Sequence, residues 1–177
     1  MDFFSSEEIV ASLGDKAKMK GKLSFVRLCI LGIMAGFCIA LGYLAFIRIT
    51  GTAPTEWGSF NNFLGGALFP VGLIALTFVG GELATGNMMV MTLGVLQKKV
   101  RVGALCYNWL VVLLTNCLGG FLVAYLFGHI VGLTEGAFLD KTVAVAQAKI
   151  ADPPLVAFVS GIGCNIFVCL AVYLGAL

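Results

Sequence analysis

Gly80-Gly81-Glu82-Leu83-Ala84-Thr85-Gly86-Asn87 interrupts an apolar stretch that runs from Phe63 to Leu96. As one helix, residues 63–96 would be about 51 Å long at 1.5 Å per residue, against a hydrocarbon core of roughly 30 Å. Two half-helices meeting at a break fit that thickness better. The break carries three glycines, a carboxylate, a hydroxyl and an amide. Polar groups and irregular backbone at membrane depth persist only where protein buries them or they line a water-filled cavity. A broken membrane helix of this kind points to a permeation or binding site.

The composition around the break agrees. Of 177 residues, 60% are hydrophobic and 11% charged, and the mean hydropathy is +1.03. Soluble domains average about 25% charged residues, so an integral membrane protein is expected. A formal charge of +2 is too small to suggest a nucleic-acid partner. The first 20 residues hold Asp2, Glu7, Glu8, Asp15, Lys16, Lys18 and Lys20, which excludes a cleavable signal peptide. The six cysteines (Cys29, Cys38, Cys106, Cys117, Cys164, Cys169) lie in apolar segments, where a free thiol packs as a small hydrophobe. Their spacing suggests neither metal nor disulfide, and no cofactor is expected.

Outward from the break, four spans are predicted. Residues 1–24 read as a cytoplasmic amphipathic helix, with Ser5-Ser6-Glu7-Glu8 as cap and acidic first turn and Ile9, Val10 and Leu13 as apolar stripe. Two readings stay open for it, a helix lying at the membrane interface and a gate over a pore. The membrane domain, 25–177, has spans at about 25–49, 63–96 (broken at 80–87), 102–127 and 155–177. Gly32, Ala35, Gly36, Ala40 and Gly42 suit close helix approach in the first, and Arg48 snorkels at its end. Trp57 reads as an interface anchor. Asn108, Thr115 and Asn116 in the third span are expected to bond to neighbouring helices. Asp140 to Ile150 reads as a short external helix. With the N-terminus inside, Lys16, Lys18, Lys20, Lys22, Arg27, Lys98, Lys99 and Arg101 are cytoplasmic, against Arg48, Lys141 and Lys149 outside. That distribution satisfies the positive-inside rule.

Two motifs carry a resemblance. Gly80 to Asn87 is similar to the interrupting loop of the second helix in the formate/nitrite transporter family. Gly161-Ile162-Gly163-Cys164-Asn165-Ile166-Phe167-Val168-Cys169-Leu170-Ala171 matches that family's fourth-helix signature position by position. Tyr107-Asn108-Trp109, similar to a Lys-Asn-Trp in the family, and a lysine 16 residues before Asn165 add to it. The resemblance extends from about residue 5 onward. It implies an all-α, aquaporin-like bundle with a broken second transmembrane helix, six spans per protomer built as inverted repeats, and a homopentamer in the inner (plasma) membrane. Its cargo would be small monovalent anions such as formate, nitrite and hydrosulfide. Carried over by position, Phe69 and Leu73 would form an outer apolar constriction, and Leu83, Ala84 and Val168 an inner one. Thr85 and Asn165 would be polar groups near mid-pore, and Lys149 the cation that draws anions inward. Ala84 stands where many members have an aromatic residue. Only four of six spans are present, without the second broken helix and its pore histidine, so a fragment of a longer protein is expected.

Read on their own chemistry, several of these residues have plainer roles. A carboxylate facing an anion path would repel its cargo, so Glu82, with Asn87, is read as structural, accepting bonds from backbone amides of the break or from an adjacent subunit. Lys149 alone reads as a loop lysine near headgroups, Asn165 as a helix–helix bond, and Phe69, Leu73 and Val168 as core. An anion channel therefore competes with a non-conducting structural membrane protein. It also competes with a redox enzyme using the cysteines, for which one histidine supplies too few ligands.

Overall fold

Ser5 is extended, and its hydroxyl accepts the Glu8 N–H while the Glu8 carboxylate accepts the Ser5 N–H. This capping box starts α1 (Ser6–Lys20) and holds the exposed Glu8 carboxyl below its ordinary range, through the backbone bond first and the hydroxyl second. The chain is described here from a computed structural model that covers residues 5–175; residues 1–4 and 176–177, the outer ends of the predicted N-terminal segment and fourth span, lie outside the described residues. Ile9, Leu13 and Ala17, four residues apart, are buried together with Gly14. Their stripe packs against Val90 and Met91 of α5 (Ala84–Leu96). Protein, rather than lipid, covers that face of α1.

The first apolar helix is α2 (Phe25–Thr50), and its main partner is α6 (Val102–Val123). The small residues do what their size allows. A side chain on Gly36 would meet the Asn116 carbonyl, and one on Gly119 would meet the Ile33 carbonyl, so the two backbones approach closely at this crossing.

The second apolar stretch ends at Leu96 as expected from the sequence and differs at its start and in its break. Its helix begins at Ser59, before Phe63, and runs as α3 (Ser59–Leu68) and α4 (Val71–Val79) with a kink at Phe69-Pro70. Proline supplies no N–H and cannot continue the ladder unbroken, which accounts for the kink. Helix is lost for residues 80–83 only, and Ala84 to Asn87 form the first turn of α5. Gly80 closes α4 at φ 75° and ψ 32°, a left-handed conformation that glycine adopts without steric cost.

Beyond α6 the helix continues through wider π-type turns over Ala124–Ile130, past the expected end at Phe127. Then come α7 (Leu139–Ala151) and α8 (Pro154–Leu174), the latter with proline at its first position. Among the described residues, four helical stretches are long and apolar enough to cross a membrane: Phe25–Thr50, Ser59–Val79, Val102–Ile130 and Pro154–Leu174. The fold is all-helical, and α8 joins it mainly through α5.

Candidate functional site

The four residues between α4 and α5 are tied down by side chains from α1 and α6 and by a backbone carbonyl of α2. The Asn116 amide of α6 accepts the Ala84 N–H at 2.9 Å and donates to the carbonyls of Glu82 at 2.9 Å and Gly32 at 2.8 Å. The Glu82 N–H donates to the Leu31 carbonyl of α2 at 3.1 Å. Backbone groups that helix geometry would leave unpaired are thereby satisfied inside the bundle.

The Glu82 side chain is 6% exposed. Its Oε1 accepts from the Lys20 ammonium at 2.6 Å, and its Oε2 accepts from Asn87 Nδ2 at 2.7 Å. The Asn87 amide also donates to Asn108 Oδ1 at 2.9 Å, and Trp109 Nε1 donates to the Asn87 carbonyl at 3.4 Å. A buried carboxylate is tolerable when a cation and further donors meet it, and these do. The expected partners were backbone amides of the break or an adjacent subunit. The donors here are side chains from α1 and α5, because Asn116 and Leu31 already occupy the break's backbone.

Two cavities flank this knot. One, named the outer cavity after the topology expected from the sequence, has a volume of about 650 Å³ and is almost wholly apolar, with walls from α2, α6 and α7. Phe69 and Leu83 reach it from the second stretch, and Lys149 lines it from α7. The inner one, about 200 Å³, lies between α1, α4, α5 and α8 and includes Leu73, Thr77, Gly80 and Lys20. Leu83 lines both cavities and so stands between them.

The profile of the formate/nitrite transporter family matches residues 7–177. The chain belongs to the formate/nitrite transporter family. An uncharacterized transporter of Bacillus subtilis is 46% identical over 175 residues, covering 98% of this chain and 66% of its own length. A formate channel of Bacillus thuringiensis is 41% identical over 174 residues, covering 98% of this chain and 67% of its own length. A solved structure described as an FNT family ion channel superposes with a TM-score of 0.88 at 26% identity, covering 95% of this chain and 68% of that one. The chain thus spans about two thirds of the length of these transporters and channels.

Within this family member, the residues singled out from sequence fall into three groups. Phe69, Leu83 and Lys149 meet at the outer cavity, and Leu73, Leu83 and Asn87 meet at the inner one. Ala84, Thr85, Asn165 and Val168 line neither of these two cavities. Ala84 is buried, and Thr85 Oγ1 is buried with no partner among the described residues. Asn165 donates to the Gly161 carbonyl of its own helix at 2.8 Å. Asn108 and Asn116 bond across to other elements as expected, whereas Thr115 bonds the Val111 and Val112 carbonyls of its own helix.

Two features escaped the sequence reading. Lys20 was one of several basic residues in and just after the last turns of α1, and nothing local marked it as the partner of Glu82, 62 residues away. The only signal was that an intramembrane carboxylate requires a cation. The second is the anchoring of α1: Gln97 donates to the Val10 carbonyl at 2.8 Å, and Lys99 bonds the Ala11 carbonyl at 3.1 Å and the Asp15 carboxylate at 2.8 Å. Lys99, by bonding it and by its charge, holds the Asp15 carboxyl below the usual carboxylate range. In the last turn of α2, the Arg48 guanidinium lies 3.6 Å from the Phe138 ring centroid and donates to the Leu133 carbonyl at 3.3 Å.

Proposed function

We propose that this chain lines a transmembrane passage for small monovalent anions, with formate as cargo and nitrite or hydrosulfide as chemically similar alternatives. The observation that carries this reading is the outer cavity, whose apolar lining includes Phe69 and Leu83 and holds one cation, Lys149, among the described residues. A cation in a low-dielectric cleft raises the local concentration of anions. Apolar constrictions at Phe69 and Leu73, and at Leu83, Ala84 and Val168, then reject the bare charge, because burying an unpaired ion is prohibitive. A formate that combines with a hydronium proton from the surrounding solution passes Leu83 as neutral formic acid and gives the proton back on the far side, so one proton accompanies each formate. Thr85, with its unpaired hydroxyl, and Asn165 supply polar contact along the way.

In this reading Glu82 and Asn87 are structural, and the Lys20 ion pair cancels a carboxylate that would otherwise repel the cargo. The second span is a helix broken at Gly80–Leu83. The protein is a homopentamer in the plasma membrane, with α1 on the cytoplasmic side, and its lipid-facing and subunit-facing surfaces are the exposed apolar helices.

The test is formate flux into liposomes carrying the full-length protein. Wild type conducts, and Lys149→Glu lowers flux about tenfold at low ionic strength. Unchanged flux in that variant removes Lys149 from the passage, and a wild type without flux leaves the non-conducting structural role. A native mass of five protomers checks the assembly.

A further inference from the structure

Lys149 acts on the outer cavity only while α7 is held against it, and α7 has little packing of its own. None of its residues is buried. It lines the cavity with Thr142, Val145, Ala146 and Lys149, which share one helix face. Lys149 lies ten residues beyond Leu139. That is about 15 Å along the axis, so a tilt of about 10° at the start of α7 moves it by roughly 2.6 Å.

The start of α7 is fastened to α2 chiefly by Arg48. Its guanidinium lies 3.6 Å from the ring centroid of Phe138, the residue just before α7. It also donates to the Leu133 carbonyl at 3.3 Å, so it grips both ends of 133–138. Behind the Phe138 ring is Gly51, where a Cβ would come within 2.8 Å of the ring. The Phe138 carbonyl accepts the Thr142 hydroxyl at 2.9 Å, which ties the gripped residue to the cavity-facing side of α7. Lys141 adds a looser contact, its ammonium 5.6 Å from the Phe46 ring centroid. A guanidinium stacks its plane on a ring while its edge donates, whereas an ammonium is a point charge and does not do both.

We propose that Arg48 is a positioning residue for transport: by clamping Phe138 and Leu133 it sets the tilt and rotation of α7 and so keeps Lys149 in the wall of the outer cavity. The inference rests on the channel reading above, in which Lys149 draws the anion in. Arg48 itself does not line that cavity, and it acts through α7 rather than on the anion.

The experiment compares formate uptake by liposomes carrying the full-length protein, wild type against Arg48→Lys, which keeps the charge and loses the stack. Arg48→Lys raises the half-saturating formate concentration about three- to fivefold and leaves the maximal rate as it was. A merely structural loss would lower the amount of working protein, and hence the maximal rate, instead. Phe138→Leu, which changes no charge, reproduces the rise, and Phe138→Tyr, which keeps the ring, does not. The double variant Arg48→Lys/Phe138→Leu is no worse than either single one, because each removes the same contact. A second readout is independent of transport: amide hydrogen exchange over 139–149 speeds up in Arg48→Lys, while α2 and α6 exchange as in wild type. A wild-type half-saturating concentration in Arg48→Lys, additive effects of the two substitutions, or unaltered exchange over 139–149 overturns the clamp while the channel stands. A wild type that carries no formate overturns the channel and, with it, the role of Arg48 in transport.

Discussion

Glu82 is tolerated in the bundle because both of its carboxylate oxygens meet donors, one from Lys20 and one from Asn87. Glu82→Ala strands both, and the loss of hydrogen bonds to a charged group costs about 1.5–3 kcal/mol. Thermal unfolding in detergent is expected to shift down accordingly, and Glu82→Gln, which keeps the shape and an acceptor, to shift it less. A neighbouring pair of glycines tests the helix crossing at single-residue resolution. A Cβ on Gly119 would lie 2.1 Å from the Ile33 carbonyl oxygen, whereas one on Gly120 meets nothing within 4 Å. Gly119→Ala therefore destabilises by about 1–3 kcal/mol, and Gly120→Ala leaves the melting temperature where it was; equal melting temperatures would refute the close approach. At this scale the sequence was only partly readable. The small residues of α2 announce close packing by type, but Gly119 is distinguished from Gly120 only by which of them faces α2.

At the scale of elements, the turn between α4 and α5 depends on Asn116. Its side chain bonds two carbonyls and one N–H on two other segments. Asn116→Leu leaves those groups buried without partners, at about 1–3 kcal/mol each. Faster amide hydrogen exchange at Ala84, with little change in the middle of α2, is the expected signature; unaltered exchange at Ala84 would mean that Asn116 does not fasten the turn. The docking of α1 has its own dependence on pH. Because Lys99 depresses the Asp15 carboxyl, their contact contributes fully above the ordinary aspartate value near pH 3.9. That contribution fades as pH falls through the lower folded value. Both groups are partly exposed, so the contribution is small and salt-sensitive. Proteolytic cleavage of α1 is expected to speed up on acidification toward pH 3 in wild type. In Lys99→Gln this rise is reduced, because the Asp15 contact is already gone; an identical pH profile in the two would refute the contact.

For the whole molecule, Leu83 is the point where two cavities come nearest, since it lines both. In the proposed channel, Leu83→Ala lowers an apolar barrier and raises formate flux several-fold, while admitting bulkier anions such as acetate. Unchanged flux and unchanged exclusion would place the barrier elsewhere in the passage.

Much of the fold was legible from local properties. The length of apolar runs predicts spans, Ser5 and Glu8 spell a cap, and Gly80-Gly81 marks the place where α4 must stop, because each depends on residues close together in the chain. The kink at Pro70 was equally local and was passed over inside a uniformly apolar run. The motif at 80–87 was recognisable, but its reach was overestimated: residues 84–87 are helical because Asn116 of a distant helix meets the Ala84 N–H. Sequence alone thus determined that this is a membrane protein of the formate/nitrite transporter family with several apolar spans. Only the tertiary structure decided that Lys20 neutralises Glu82, that Asn116 fastens the turn, and that Leu83 stands between an outer and an inner cavity. These contacts join residues 32 to 84 positions apart, and such pairings follow from how helices cross rather than from anything periodic in the chain.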